Sequence, residues 1–376
     1  MAEGDVLLVG GLLVVLVGFG VALAWPDLEH WLGTLPRGRT VISRMNFWRD
    51  SLAIIGDYPF TGSGLGSTEM VYSSYVRLLH VRFIERNVHN LPLQIAVEQG
   101  LPGLAAFLGL LGVVIGALVG LYHRREYAGG LRWAATAAVI ALLLQGIGEA
   151  GNYNSPMALI GFLPFGFVLG CAWQSKVKDQ VTASLATIRP HRCTHRHPRW
   201  VSIGGGVVVI VALAALLLLP GPRAHLRANL GAVAQTQAEL SVYRWPEWPI
   251  QDAVRRSPDV NLAPAIAHYR AALALAPDNV TANRRLGQIE LSLGQYPAAR
   301  RHLEAAYAAA PNQRATRQLL GESYALLGDT ERAAALWRTV DVSQGQLRLR
   351  QRWYDYIGES QQGVRLARAV TWSTAE

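Results

Sequence analysis

Lysine is almost missing from this chain, carboxylates are sparse and cysteine is rare. Of 376 residues only 16% are charged, and the lysines are Lys176 and Lys178, so arginine carries nearly all of the formal net charge of +9. Arginine abundance alone says little; arginine position says more. Cys171 and Cys193 lie in or beside an apolar stretch and lack metal-ligand spacing, which excludes a disulfide framework and a zinc site. No Asp-x-Asp pair is present to hold a metal–diphosphate complex, and no Gly-Lys-Ser/Thr follows the glycine-rich turn at Gly62–Gly66. What the chain has instead is apolar surface. It is 51% hydrophobic with a mean hydropathy of +0.19, values that suit a membrane protein carrying a soluble part.

Five apolar stretches approach the roughly 20 residues needed to cross a bilayer. They cover 6–25, 101–122, 133–149, 157–173 and 201–219. The first begins with Glu3 and Asp5 rather than a basic region, and no A-x-A site follows, so it reads as a retained anchor and not a signal peptide. The third and fourth are short and carry glycine and Pro164, a re-entrant course for one being the alternative. Basic residues crowd two short loops, at Arg124, Arg125 and Arg132 and again from Lys176 to Arg199. Those loops are therefore expected in the cytoplasm. The expected division is a first transmembrane helix (1–25), a large extracytoplasmic loop with amphipathic helices (26–90), a three-span membrane domain (91–175), a basic cytoplasmic loop (176–200), a last transmembrane helix (201–220) and an extracytoplasmic repeat domain (221–376). The membrane in question is the cytoplasmic, or inner, one.

From about residue 263 the chain repeats with a spacing of 34. Pro277 returns as Pro311, Leu286-Gly287 as Leu320-Gly321, Gly294 as Gly328, and Tyr269 gives way to Leu303 and Trp337. This resembles the tetratricopeptide pattern, two packed antiparallel helices per unit. A degenerate unit is expected around Trp245–Pro277 and a capping helix at 345–358. The fold class is thus all-α, a bundle of about five spans followed by an α-solenoid. A solenoid exposes an extended groove, which points to a protein or glycan partner there; a plain spacer is the alternative.

The chemistry concentrates before the second span. In Arg82-Phe-Ile-Glu85-Arg86-Asn-Val-His89-Asn90, a helix over 82–89 would put Arg82, Arg86 and His89 on one face. An imidazole beside fixed cations at a membrane edge suits an anionic, membrane-borne substrate. Upstream, Arg44-Met-Asn-Phe47-Trp48-Arg49-Asp50-Ser-Leu52-Ala-Ile-Ile55 reads as an amphipathic interfacial helix with Phe47, Leu52 and Ile55 along one side. The following glycines, Gly62, Gly64 and Gly66, read as a tight turn joining two helices.

Three blocks in order carry a resemblance: Arg44-x-x-x-Trp48; Asp57-x-Pro59-x-x-Gly62-x-Gly64-x-Gly66; and His89-Asn90-x-x-Leu93-Gln94 followed by Glu98-x-Gly100-Leu101-Pro102-Gly103. Over about 40–175 the chain resembles the O-antigen ligase and polymerase superfamily, multi-spanning glycosyltransferases that need no metal. The resemblance implies transfer of glycan from undecaprenyl diphosphate to a saccharide or protein acceptor, with Arg44 on the diphosphate and His89 acting on the acceptor or the phosphate. Complete members have further spans upstream, which implies a fragment, a separately encoded partner or a reduced homologue. The physics agrees independently. Guanidinium groups fork onto phosphate oxygens and stabilise leaving-group charge without a metal, and an ordinary imidazole, with a pKa of about 6.5, can take the acceptor's proton.

The candidate site is therefore His89 and Arg44 as catalytic residues, with Arg49, Arg82, Arg86, Asn90 and Glu98 binding substrate and no metal or cofactor. Arg37, Arg39 and Arg77 read as interfacial residues snorkelling to headgroups. His191, His195 and His197 read as part of a loop on anionic lipid. The implied partners are the glycan carrier, membrane lipid and a protein or glycan at the repeat domain; nucleic acid is not among them. The competing readings are a non-catalytic membrane-anchored repeat scaffold for envelope glycan assembly and a small-anion transporter.

Overall fold

The computed structural model describes residues 34, 38–76, 87–124, 129–148, 157–186, 219–242, 251–340 and 344–374; the apolar segments at 6–25 and 201–218, with Arg82, Glu85 and Arg86, lie outside them. Every regular element among the described residues is a helix. The chain forms two compact units.

The first unit takes in the described residues of 1–52, 86–96 and 102–196. It contains most of α1 (Gly38–Asp57) and α3 (Leu91–Arg124), and all of α4 (Gly129–Gly148) and most or all of α5 (Met157–Ala186). Val114, Leu118 and Leu121 of α3 pack with Ala135 and Val139 of α4 and Phe165 and Val168 of α5. Tyr122 ties α3 to α4 through Thr136, 3.1 Å away, and an edge contact with Trp133. The outward residues are equally apolar: Val113, Trp133, Leu144, Leu163 and Trp173 are exposed. An apolar exterior around an apolar core is what lipid solvation permits and water does not. Among the described residues one helix, Leu91–Tyr122, is long and apolar enough to cross a membrane, with a mean hydropathy of 2.6. The apolar parts of α4 and α5, Trp133–Ile147 and Phe162–Gln174, are shorter.

Two expectations change here. Residues 87–90 are a bend and not helix, so a helical face through Arg82 and Arg86 stops short of His89. The loop expected at 176–200 is helical as far as Ala186, because no glycine or proline interrupts α5 past its apolar part. In α1 the helix forms as expected, but Leu52 is exposed and the buried positions include Met45, Phe47, Asp50, Ser51, Ile54 and Asp57. The polar Asp50 and Ser51 on that side hid it from a hydrophobicity reading.

The second unit takes in the described residues of 53–85, 97–101 and 197–376. It holds α2 (Thr68–Val76), α6 (Pro220–Leu240), α7 (Gln251–Arg256), α8 (Ala263–Leu275), α9 (Val280–Ser292), α10 (Tyr296–Ala309), α11 (Arg314–Leu327), α12 (Thr330–Arg338), α13 (Gln344–Tyr356) and α14 (Ser360–Thr374). Each of α8 to α12 packs on its neighbour in sequence. Several helix boundaries in this unit have a local cause. Asn279 and Asp329 cap α9 and α12 by accepting the N–H groups of Ala282 and Arg332. Gly294 and Gly328 end α9 and α11 with positive φ, letting Gln295 and Asp329 donate back to Glu290 and Tyr324.

The interior glycines serve approach. A Cβ on Gly287 would lie 2.7 Å from Leu303, and one on Gly321 would lie 2.5 Å from Trp337. Tyr269 repeats this contact, but on Gly231 of α6. The helix packed against α8 is thus α6, from before residue 245, and not one formed within 245–262. The helix expected at 345–358 forms as α13, and α14 packs against it.

Gly321→Ala forces Trp337 from its seat and is expected to destabilise the second unit by about 1–3 kcal/mol. Thermal unfolding of the full chain checks this; an unchanged melting temperature contradicts the packing described.

Candidate functional site

In the first unit a short turn is held from every side. Asn90 precedes α3, and its amide oxygen accepts the Leu93 N–H at 3.0 Å, capping the helix. Its amide nitrogen reaches the Ile147 carbonyl of α4 at 3.4 Å. Gln94 reaches back to accept the Val88 N–H at 2.8 Å, and the Trp48 indole of α1 donates to the Val88 carbonyl at 3.1 Å. Val88 is fully buried. The next residue, His89, has its N–H bonded to the Asn87 side chain and its backbone at φ 52°. A non-glycine residue in the left-handed region persists where its surroundings over-determine it, and such residues cluster at functional sites. Here the surroundings are the caps and bonds just named. They leave the imidazole half-buried at the end of a fixed turn.

Arg44 sits one helical turn before Trp48, on the same side of α1, and is half-buried. Arg49 lies on a different side and is exposed. Both ends of the Asn90 amide are engaged by backbone groups, so its work is to shape the histidine turn. Arg82 and Arg86 fall outside the described residues.

In the second unit two glycine turns interlock. Pro102 has no N–H, so the Glu98 carbonyl loses its helical donor, and the Leu101 N–H is drawn away to the Pro59 carbonyl at 2.8 Å. The two freed carbonyls, of Val97 and Glu98, accept instead from the N–H groups of Ser63 and Gly64 at 2.8 and 3.1 Å. The backbones approach so closely that a Cβ on Gly62 would lie 2.2 Å from Glu98, and one on Gly100 would lie 2.8 Å from Gly62. Both glycines have positive φ. The glycine-rich turn therefore grips a helix break and is no phosphate cradle. The Glu98 carboxylate is buried and accepts the Thr68 hydroxyl at 2.9 Å, joining α2 to the same knot.

The front of this turn is anchored to the repeat helices. Asn229 of α6 accepts the N–H groups of Phe60 and Thr61 at 3.0 and 3.3 Å and donates to the Thr61 hydroxyl at 2.8 Å. Asp57 is 1% exposed and takes hydrogen bonds from Arg284, Arg285 (2.8 Å) and Thr281 (2.8 Å) of α9. Arg285 also donates to the Tyr58 hydroxyl at 2.9 Å and lies over its ring, and Tyr58 pairs with Thr236 at 2.7 Å. Burial pushes the Tyr58 phenol above its ordinary pKa, outweighing the nearby guanidinium, so it remains a neutral donor at physiological pH. As a result α9 is buried on both its apolar and its polar sides. Alongside, α2 touches α11. The surface of α9 is thus covered by the chain's own segment around Asp57 and Tyr58.

Arg284, Arg285, Asn229 and Tyr58 were not among the residues singled out in the sequence. One signal existed: consecutive arginines directly before the Leu286-Gly287 pair stand on a helix whose opposite side is core. Their partner lies more than 200 positions away, beyond any local pattern. Among the described residues no cluster of histidine, cysteine and carboxylates is suited to a metal.

Residues 4–108 match a family model described as O-antigen ligase. The matched stretch contains all three blocks: Arg44 to Trp48, Asp57 to Gly66, and His89 to Gly103. No curated protein and no solved structure matches the chain.

Proposed function

We propose, from the match of residues 4–108 to the O-antigen ligase family model, that the chain is a membrane glycosyltransferase that moves glycan from undecaprenyl diphosphate to a saccharide or protein hydroxyl. The family supports a membrane protein acting on lipid-linked glycan; the carrier and the acceptor class are our reading. His89 takes the proton of the acceptor hydroxyl as that oxygen bonds to the anomeric carbon. The sugar–phosphate bond breaks, and its electron pair leaves on the lipid diphosphate. Arg44 stabilises the charge gathering there, without a metal. Arg49, Arg82 and Arg86 supply further positive charge for the phosphates. Asn90 and Glu98 act through the backbone they hold rather than by touching substrate. The observation that carries this reading is the His89 turn, a strained backbone fixed by Trp48, Asn90 and Gln94.

The reading includes five spans, with loop 26–90 and a tetratricopeptide-type domain at 221–376 outside the inner membrane. Its alternative is the non-catalytic scaffold, in which the same turns serve only assembly.

Consumption of carrier-linked glycan by purified wild type, His89→Ala and Arg44→Ala separates these. Loss of a general base is expected to lower turnover by about 10²–10⁴-fold, and loss of the arginine by about 10²–10³-fold. Unchanged turnover in both variants removes the mechanism and leaves the scaffold.

For the topology, a membrane-impermeant maleimide on intact spheroplasts should label Leu65→Cys and Asp278→Cys, both at exposed positions, and spare Cys193. Labelling of Cys193 in place of the other two inverts the orientation.

A further inference from the structure

We infer that Trp48 and Asn87 are positioning residues for glycan transfer. Between them they lock the peptide group that joins Val88 to His89, and Trp48 ties that group to the helix carrying Arg44. This rests on the transfer reading above and deepens it. All the residues concerned belong to the first unit.

The Val88 carbonyl and the His89 N–H are the two poles of one planar group. Each pole has its own holder. The Trp48 indole donates to the carbonyl at 3.1 Å, and the Asn87 side chain accepts the N–H at 3.0 Å. The chain on either side is fixed as well. Before the plane, the Val88 N–H donates to Gln94 at 2.8 Å. After it, Asn90 caps α3 through Leu93, and its carbonyl accepts the Gln94 N–H at 2.8 Å.

The orientation so held is the costly one. His89 has φ 52°, a region that residues with a Cβ avoid. Turning this one plane over would carry φ to about −130°, within the broad extended region open to any residue. That turn parts both hydrogen bonds at once, so each bond opposes it. Asn87 is the local holder, a side chain bonded two residues on. Trp48 is the distant one. It comes from α1, where Arg44 stands one helical turn earlier on the same side. A single indole hydrogen bond therefore links the turn bearing the imidazole to the helix bearing the guanidinium. Releasing it lets the turn relax, and the imidazole shifts with it. A positional error of about one ångström at a reacting group lowers turnover by about a hundredfold.

The test combines residue-resolved hydrogen exchange with kinetics on the full chain in detergent. Trp48→Phe keeps an aromatic ring and removes the donor. In it the His89 amide should exchange at least about tenfold faster than in wild type, while the Val88 amide, held by Gln94, keeps its protection. Peptides from 131–147 in α4 serve as the folding control. Turnover of undecaprenyl-diphosphate-linked glycan should fall about tenfold to a hundredfold, with KM for the donor moving less than kcat. Asn87→Ala should show the same pattern, and Asn87→Ser, which retains a weaker acceptor, should recover part of the loss. The double variant Trp48→Phe/Asn87→Ala should turn over no more slowly than the worse single variant, since both bonds hold one plane. Should Trp48→Phe lose protection across 131–147, the contrast between Asn87→Ala and Asn87→Ser decides alone.

Faster exchange at His89 with normal turnover overturns the positioning role and leaves the transferase reading standing. Unchanged exchange at His89 in both single variants overturns the lock itself. Absence of turnover in wild type overturns the transferase reading, while the exchange contrast still reports whether the plane is held.

Discussion

The carbonyls of Val97 and Glu98 set the architecture around the signature residues. A proline four residues after Glu98 denies that carbonyl its helical donor, and a glycine with φ 71° bends the chain so that Leu101 cannot serve Val97. Two buried acceptors without donors would cost about 1–3 kcal/mol each. The turn at Gly62–Gly64 supplies both N–H groups, and only glycines permit the approach. The spacing of the second and third blocks follows from this one demand. Glycine is needed where two backbones touch, proline where a helix must stop, and a carboxylate where Thr68 closes the knot. Much of what looks like a catalytic signature is therefore structural, which narrows the candidates for chemistry to the groups left facing outward.

Those are few. In the His89 turn the backbone polar groups are bonded to Trp48, Asn87, Asn90 and Gln94, while the imidazole itself is only half-buried. A half-buried imidazole on a turn held by named hydrogen bonds is the arrangement expected of a group presented for reaction. Arg44 lies on the Trp48 side of α1.

The repeat period was readable because the repeated residues answer local needs: proline and glycine at helix ends, and glycines under Leu303 and Trp337. The described residues of the apolar segments at 101–122, 133–149 and 157–173 fall within helices for the same reason, a local composition that tolerates little else. Less legible were contacts that depend on distant partners. Nothing near Asp57 in sequence announces Arg284 and Arg285, and nothing near Thr61 announces Asn229. The buried side of α1 escaped notice because Asp50 and Ser51 share it with Phe47 and Ile54. Around residue 245 the repeat pattern was misleading in a physical way: Tyr269 needed a glycine to lie on, and Gly231 of α6 provides it from outside the expected unit. Of the candidate site, His89 and Arg44 stood out by residue type, whereas the capping duties of Asn90 and the Thr68 partner of Glu98 required the fold.

Residues 4–108 match the O-antigen ligase family model, and the proposed transfer sets a lipid diphosphate against the side chains of Arg44 and His89. The most direct measurement is photolabelling of the full protein in native membranes with an undecaprenyl diphosphate analogue carrying a photoreactive group beside the phosphates. The account predicts that the crosslinked peptides contain Arg44 or His89 and that unlabelled undecaprenyl diphosphate competes for them. Competed labelling confined to other peptides would contradict it.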